Sequence, residues 1–263
     1  MIYPIQFISL VEKYKETQDE SLKFIGTGNP CAKILIIGQE VALDLPKDEF
    51  HYGLHQKNVR LWSEAIDRQL DFDQVKNWGG YSEKNKIYRE EDFSPLYPYK
   101  GDQKIHRSPK NGGTSKTWKC YQKLLSYIYP NQLSDEEIDF HKYAFITEMS
   151  SEPSAKSPSK NEKTAKSIRT RTEQLFSEEF FQQFPVVIVA SGNYVSPKMY
   201  DIDLQRIFHQ KYVTSDLSKE HKNEWIHIHR ANGRLLLHCR QLSFCSNELL
   251  CRLADCIKKE KLI

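Results

Sequence analysis

Long apolar runs are missing from this 263-residue chain. The longest, such as Val186 to Ala190 and Leu235 to Leu237, fall far short of the roughly 20 residues that a membrane-spanning helix needs. Mean hydropathy is −0.65, and a transmembrane protein is excluded. The opening segment, MIYPIQFISLVEKYKETQDE, lacks the basic flank and small-residue cleavage site of a secretory signal, so the protein is expected to stay in the cytoplasm. The six cysteines (Cys31, Cys120, Cys239, Cys245, Cys251 and Cys256) form no CxxC pair, which argues against a disulfide framework or a zinc ribbon and for reduced thiols. Neither GxxxxGK[ST] nor GxGxxG occurs, so a P-loop or dinucleotide site is not expected. No internal repeat is visible. The net charge of +3, from 38 basic and 35 acidic residues, is too small to imply a nucleic-acid partner by itself.

What is there is a focused distribution of that charge. From Pro98 to Lys123 there are seven basic residues against Asp102 alone, and from Ser154 to Arg171 six against Glu162. Both stretches are rich in Ser, Pro, Gly and Thr, whose local hydrogen bonds and fixed φ compete with regular structure, so they read as basic loops able to follow a phosphate backbone.

Along the chain, helical and strand periods alternate. Phe7, Leu10, Val11 and Tyr14 share one helical face, as do Val59, Trp62, Ile66 and Leu70, then Trp118, Tyr121, Leu124, Leu125 and Ile128, and finally Leu249, Leu250, Leu253 and Ile257. Leu175, Phe176 and Phe180 suggest another helix, and so do Met199, Ile202 and Ile207. Ser134 and Glu137 have capping-box spacing, which predicts a short helix ending near His141. Strands are expected near 33–37, 143–147, 186–190 and 234–238. Asn232-Gly233 suits a tight hairpin joining Trp225–His229 to the last of these. The result is one α/β domain over residues 1–263, with a mostly parallel four-stranded sheet and an insertion at about 71–111.

Such sheets bind ligands at the carboxyl ends of their strands. Those ends carry Gly38-Gln39-Glu40, Thr147-Glu148, Ser191-Gly192-Asn193-Tyr194 and His238-Cys239-Arg240. Two carboxylates, an asparagine, a histidine and an arginine are thus expected to converge on one crevice. His227 and His229, two apart on a strand, supply at most two ligands from that element, and no metal or other cofactor is expected. Cys239 and His238 are strand neighbours pointing to opposite faces, which argues against a Cys/His hydrolase.

The run from Asn29 through Lys33 to Gly38-Gln39-Glu40 resembles the first motif of the uracil-DNA glycosylase superfamily. Tyr143 to Glu148, Pro185 to Asn193 and Arg234 to Ser243 follow in the order of that family's later motifs. The resemblance implies a three-layer α/β/α domain that extrudes a damaged or deaminated base from single- or double-stranded DNA and hydrolyses its N-glycosidic bond. It implies Glu40 and His238 as catalytic residues, and Gln39, Phe50, Tyr52, Glu148 and Asn193 as base-binding ones, with Phe50 or Tyr52 as the stacking platform. Lys156, Lys160, Lys163, Arg240 and Ser243 would contact the DNA backbone, and a monomer is expected. The chain departs from the family at Val41, where the family has proline, at Cys239-Arg240, where it has Pro-Ser, and at Glu148, where it has asparagine. Protonated, Glu148 both donates and accepts, as uracil requires; ionised, it accepts from the exocyclic amine of cytosine or adenine. The alternative is a catalytically inactive member that binds nucleic acid or a nucleotide.

Overall fold

The computed structural model describes residues 2–41, 43, 49–75, 93–98, 105, 115–154 and 161–263. Most of the expected insertion at 71–111, and Lys156 and Lys160, lie outside the described residues.

Helix α1 (Ile5–Tyr14) is followed by the short strand β1 (Thr27–Gly28) and by β2 (Ile34–Gly38). Helices α2 (Glu49–Gln56), α3 (Asn58–Asp67), α4 (Phe72–Val75) and α5 (Lys116–Ile128) precede β3 (Ala144–Glu148). Then come α6 (Glu162–Thr170), a π-helical turn at Arg171–Leu175, α7 (Glu179–Gln182) and β4 (Val186–Val189). Helix α8 (Leu204–Phe208), strands β5 (Lys211–Leu217), β6 (Trp225–Ala231) and β7 (Arg234–Cys239), and helix α9 (Asn247–Glu260) complete the chain.

The strands form one seven-stranded mixed sheet in the order β1-β3-β2-β4-β7-β6-β5. Its middle, β3-β2-β4-β7, is parallel throughout, while β1, β6 and β5 pair antiparallel with their neighbours. The four expected parallel strands are all present, and every residue of β2 and β4 is buried, which is why their sequences run apolar without alternation. The β6–β7 hairpin turns at Asn232 (φ 52°) and Gly233 (φ 72°), the two positive φ values that a tight turn of this kind needs.

Phe145 of β3 meets Phe7 of α1 at 5.7 Å, Trp62 of α3 at 6.1 Å and Phe180 of α7 at 5.0 Å between ring centroids. One group of helices therefore gathers on the side to which Phe145 points, while α5 and α9 pack on each other as a second group. All four helical faces read from periodicity supply buried residues. Among the described residues no helix is long and apolar enough to cross a membrane.

Three expectations are corrected. The sheet has seven strands rather than the expected four, because β1, β5 and the β6 arm of the hairpin join it. β5 is an edge strand with mostly exposed side chains and a bulge between Tyr212 and Thr214, so it lacks the alternation that marks a half-buried strand. The predicted helix at 134–141 is absent. The Ser134 hydroxyl does accept from the N–H groups of Glu136 and Glu137, at 3.2 and 3.0 Å, but Asp139 folds back to accept from Ser134 N–H at 3.2 Å. Burial of Ile138 and Phe140 then takes the chain into a 3-10 turn at Phe140–Lys142. The basic stretch after Ser154 is a loop only in part, since Asn161 caps α6 by accepting from Thr164 N–H at 2.8 Å, and Thr164, Ser167 and Ile168 are buried along one face.

Candidate functional site

From β2 the chain moves outward to β3, then returns to β4 on the other side of β2 and continues to β7, so strand order reverses between β2 and β4. A crevice at that point is where open α/β sheets take ligands. Here Gln39, just past β2, donates its amide N–H to Ser191 O, just past β4, at 3.0 Å. Gly192 follows with φ +56°, a left-handed conformation that suits glycine, and a Cβ added there would touch both the Gln39 amide and the Gln241 backbone beyond β7. A crevice of about 740 Å³ opens there, walled by Gln39, Asn193, Tyr194 and Arg240, with the exposed Lys198 and Lys222 also on its wall.

Glu40 stands next to Gln39 and keeps partial contact with solvent. Its carboxylate accepts the phenol O–H of the buried Tyr194. Burial pushes the Glu40 carboxyl above its ordinary range, and the Tyr194 bond opposes that rise by stabilising the anion. Glu148 lies opposite Gly38 in the parallel register of β3 and β2. A Cβ on Gly38 would collide with Glu148 Oε2, so only glycine lets that carboxyl lie across the end of β2. Burial, and then the charge of Glu40, push Glu148 up to about 8, while Arg171 acts in the other direction. At neutral pH the pair therefore divides its roles: Glu148 is a neutral acid carrying a donor O–H, and Glu40 is the group that ionises first.

Arg171, counted among the basic-loop cations, is fully buried. Its guanidinium donates to the carbonyls of Glu148 (3.0 Å), Ser21 (2.8 Å) and Phe24 (2.5 Å) and to Thr147 Oγ1 (2.8 Å). It thereby ties the end of β3 to the segment preceding β1.

His238 is the expected site residue whose surroundings differ most from the reading of one shared crevice. Its Nε2 donates to Gly192 O at 3.0 Å, and burial pushes it down to about 3, so the ring is neutral. The ring faces a second pocket, of about 580 Å³, rather than the first. Its neighbour Cys239 is fully buried, with its thiol pushed up to about 12, which leaves no thiolate for nucleophilic chemistry.

Of the other expected residues, Gln39, Asn193 and Arg240 are brought together on the crevice wall. Glu40 and Glu148 are not among the residues of that wall, although Gln39 and Tyr194, the sequence neighbour and the hydrogen-bond partner of Glu40, both are. Phe50 and Tyr52 lie on α2, and Tyr52 feels the charges of Glu20, Glu152 and Lys23 rather than those of the crevice. Lys163 is exposed on α6. Ser243 sits in a short turn at Leu242–Phe244, is 7% exposed, and its hydroxyl has no partner among the described residues. Sequence reasoning placed Tyr194 at a strand end without giving it a role, and did not single out Lys198, Lys222 or the buried role of Arg171. For Tyr194 a signal existed, two residues past the turn glycine; for the others the signal was only a basic residue in a polar stretch.

The raised Glu148 carboxyl has a stability consequence. Between its ordinary value of 4.5 and about 8, the folded protein holds a proton that the unfolded chain has released. Its contribution is therefore fully present below pH 4.5 and is lost as pH rises to about 8. The slope approaches about 1.4 kcal/mol per pH unit. Glu148→Gln, which imitates the neutral acid, is expected to flatten that slope and to be more stable than wild type at pH 8. Urea denaturation from pH 5 to 8 checks this, and parallel curves for the two proteins would refute the raised carboxyl.

Among the described residues, one group of His and carboxylate side chains has its potential ligand atoms within 4.8 Å of one another: Glu220, His221 and Glu248. It lies at the surface. No family model matches the chain, and no curated protein or solved structure does either.

Proposed function

We propose that the protein is an N-glycosylase acting on nucleic acid, built on a three-layer α/β/α domain of the uracil-DNA glycosylase kind. The observation that carries this reading is the pair of unlike carboxyls, Glu40 and Glu148, beside the point where strand order reverses. The parallel core β3-β2-β4-β7 and the two groups of helices agree with such a domain.

In this reading a flipped nucleotide brings its C1′ to Glu40. The oxygen of a water forms the new bond to C1′, and its proton passes to the Glu40 carboxylate. The electron pair of the breaking C1′–N bond leaves with the base, which later takes a proton from solvent. Glu40 also stabilises the positive charge that develops on the sugar. The departing base needs preorganised donors where its negative charge grows, and the neutral Glu148 O–H and the Asn193 amide supply that chemistry. Lys198, Lys222 and the Arg240 fork hold phosphates and offset the few kcal/mol that flipping costs.

A second reading, binding without turnover, is favoured by one contact: the His238 Nε2 hydrogen is already committed to Gly192 O, so that donor is not free for a leaving base. The test is base release from short DNAs carrying uracil, hypoxanthine, xanthine or an oxidised pyrimidine, single-stranded and mispaired, with binding measured over a range of salt. Release from one of them is the expected result. Salt-sensitive binding with silence across the panel would favour the second reading.

A further inference from the structure

The second pocket, of about 580 Å³, lies against the other side of the Gly192 turn and shares Gly192, Asn193, Ser196 and Trp225 with the crevice. Its volume is that of a small-molecule site. Its polar groups are unusual in kind, for three imidazoles line it and no lysine or arginine does. Its one charged lining residue, Asp203, is occupied in capping α8, where it accepts from Arg206 N–H at 3.1 Å.

The rings pack against one another as an aromatic wall. Trp225 stacks on His227 at 4.4 Å with 27° between planes and meets His238 edge-on at 4.7 Å. A relay from Tyr212 Oη through Ser215 Oγ to His227 Nδ1, at 2.8 and 2.7 Å, fixes the His227 ring, as Gly192 O fixes His238. His229 differs from both. It is 8% exposed, lines the same pocket, and its Nδ1 has no hydrogen-bond partner among the described residues. A buried polar atom left unpaired is unfavourable, and the imidazole that carries it stands in the pocket wall, where a ligand group can approach the ring. Burial also holds the imidazoles neutral, with His229 pushed down to about 4. Each therefore carries one N–H and one acceptor nitrogen, the N–H of His238 being already given to Gly192 O, and none carries a charge for an anion.

We infer that this pocket binds a neutral planar N-heterocycle of the nucleobase class, held between apolar side chains and the Trp225–His227–His229–His238 wall and hydrogen-bonded at His229. The cations lie in the adjoining crevice, so a base seated here directs its phosphate toward Lys198 and Lys222. The pocket is thus a second base site beside the one in which a glycosidic bond would break. It extends the proposed function without depending on turnover.

The test uses the full chain with histidine side chains labelled with ¹⁵N, titrated with uridine, adenosine and, separately, inorganic phosphate. One nucleoside at least is expected to shift the His227 and His229 imidazole signals saturably, while phosphate alone leaves them in place. His229→Phe keeps a ring and removes the unpaired nitrogen, so it should fold at least as well and bind at least about tenfold more weakly. Leu204→Trp, which fills the pocket from α8, should abolish the shifts. Absence of any saturable shift, an equal response to phosphate, or unchanged affinity in both variants would overturn the inference. Base release on DNA is read separately, so failure of the glycosylase reading and failure of this one are distinguishable.

Discussion

Replacing Glu40 with glutamine is expected to lower base release by about 10²–10⁴-fold, the range over which a positioned general base acts. Binding should survive, because the amide oxygen introduced by Glu40→Gln can still accept the Tyr194 O–H that holds the side chain in place. What disappears is the anion that takes the proton of water and faces the positive sugar. The pH profile carries the same assignment. Release should rise with pH through the ionisation of Glu40, which burial holds above the ordinary carboxylate range, and fall as Glu148 loses its proton near pH 8. Tyr194→Phe deletes the hydrogen bond that holds the Glu40 value down, so the rising limb should move to higher pH while the falling limb stays. Release undiminished in Glu40→Gln would remove Glu40 from the chemistry.

Arg171→Met is expected to cost about 3–5 kcal/mol of folding stability, because four buried acceptors lose their donor and each one left unpaired costs about 1–3 kcal/mol, less what relaxation recovers. The methionine fills much of the volume. It leaves the carbonyls of Ser21, Phe24 and Glu148 and the Thr147 hydroxyl without their donors. It also removes the cation that opposes the rise of Glu148, whose carboxyl should then titrate above about 8. Arg171→Lys keeps the charge, but one ammonium cannot reproduce a planar fork that serves four acceptors, and an intermediate loss is expected. Urea denaturation gives the first quantity and ¹³C NMR of labelled glutamate carboxyls the second. A loss below about 1 kcal/mol, the scale of an exposed ion pair, would mean that the arginine is not the tie described above.

The parallel core is legible because burial on both faces leaves a local mark. Val186–Val189 and Ile34–Ile37 are continuous apolar runs ending at turn residues, and both are central strands. Asn232-Gly233 announces its hairpin for an equally local reason, since few residue pairs accept two positive φ values. Strand β5 leaves no such mark, because an edge strand with exposed side chains needs no apolar alternation and is held by the backbone of β6. The Ser134 motif is a true hydrogen-bonding unit without being a helix start, because the pull of Ile138 and Phe140 into the core lies outside a four-residue motif.

The site divides along the same line. Which residues stand at strand ends follows from the sequence, because each strand ends at a local change of pattern, and Gln39, Glu40, Glu148, Asn193 and Arg240 are all legible that way. How they are paired is decided by the sheet order. Tyr194 reaches Glu40 across 154 positions, and Arg171 reaches the Glu148 carbonyl from a stretch whose composition reads as a solvated loop. The same order sets His238 against Gly192 and turns its ring into a different pocket from the one that Gln39 lines. Side-chain period records which face of an element is buried. Desolvation and hydrogen-bond partners, which decide protonation and chemistry, depend on which elements lie side by side, and that is a property of the folded chain.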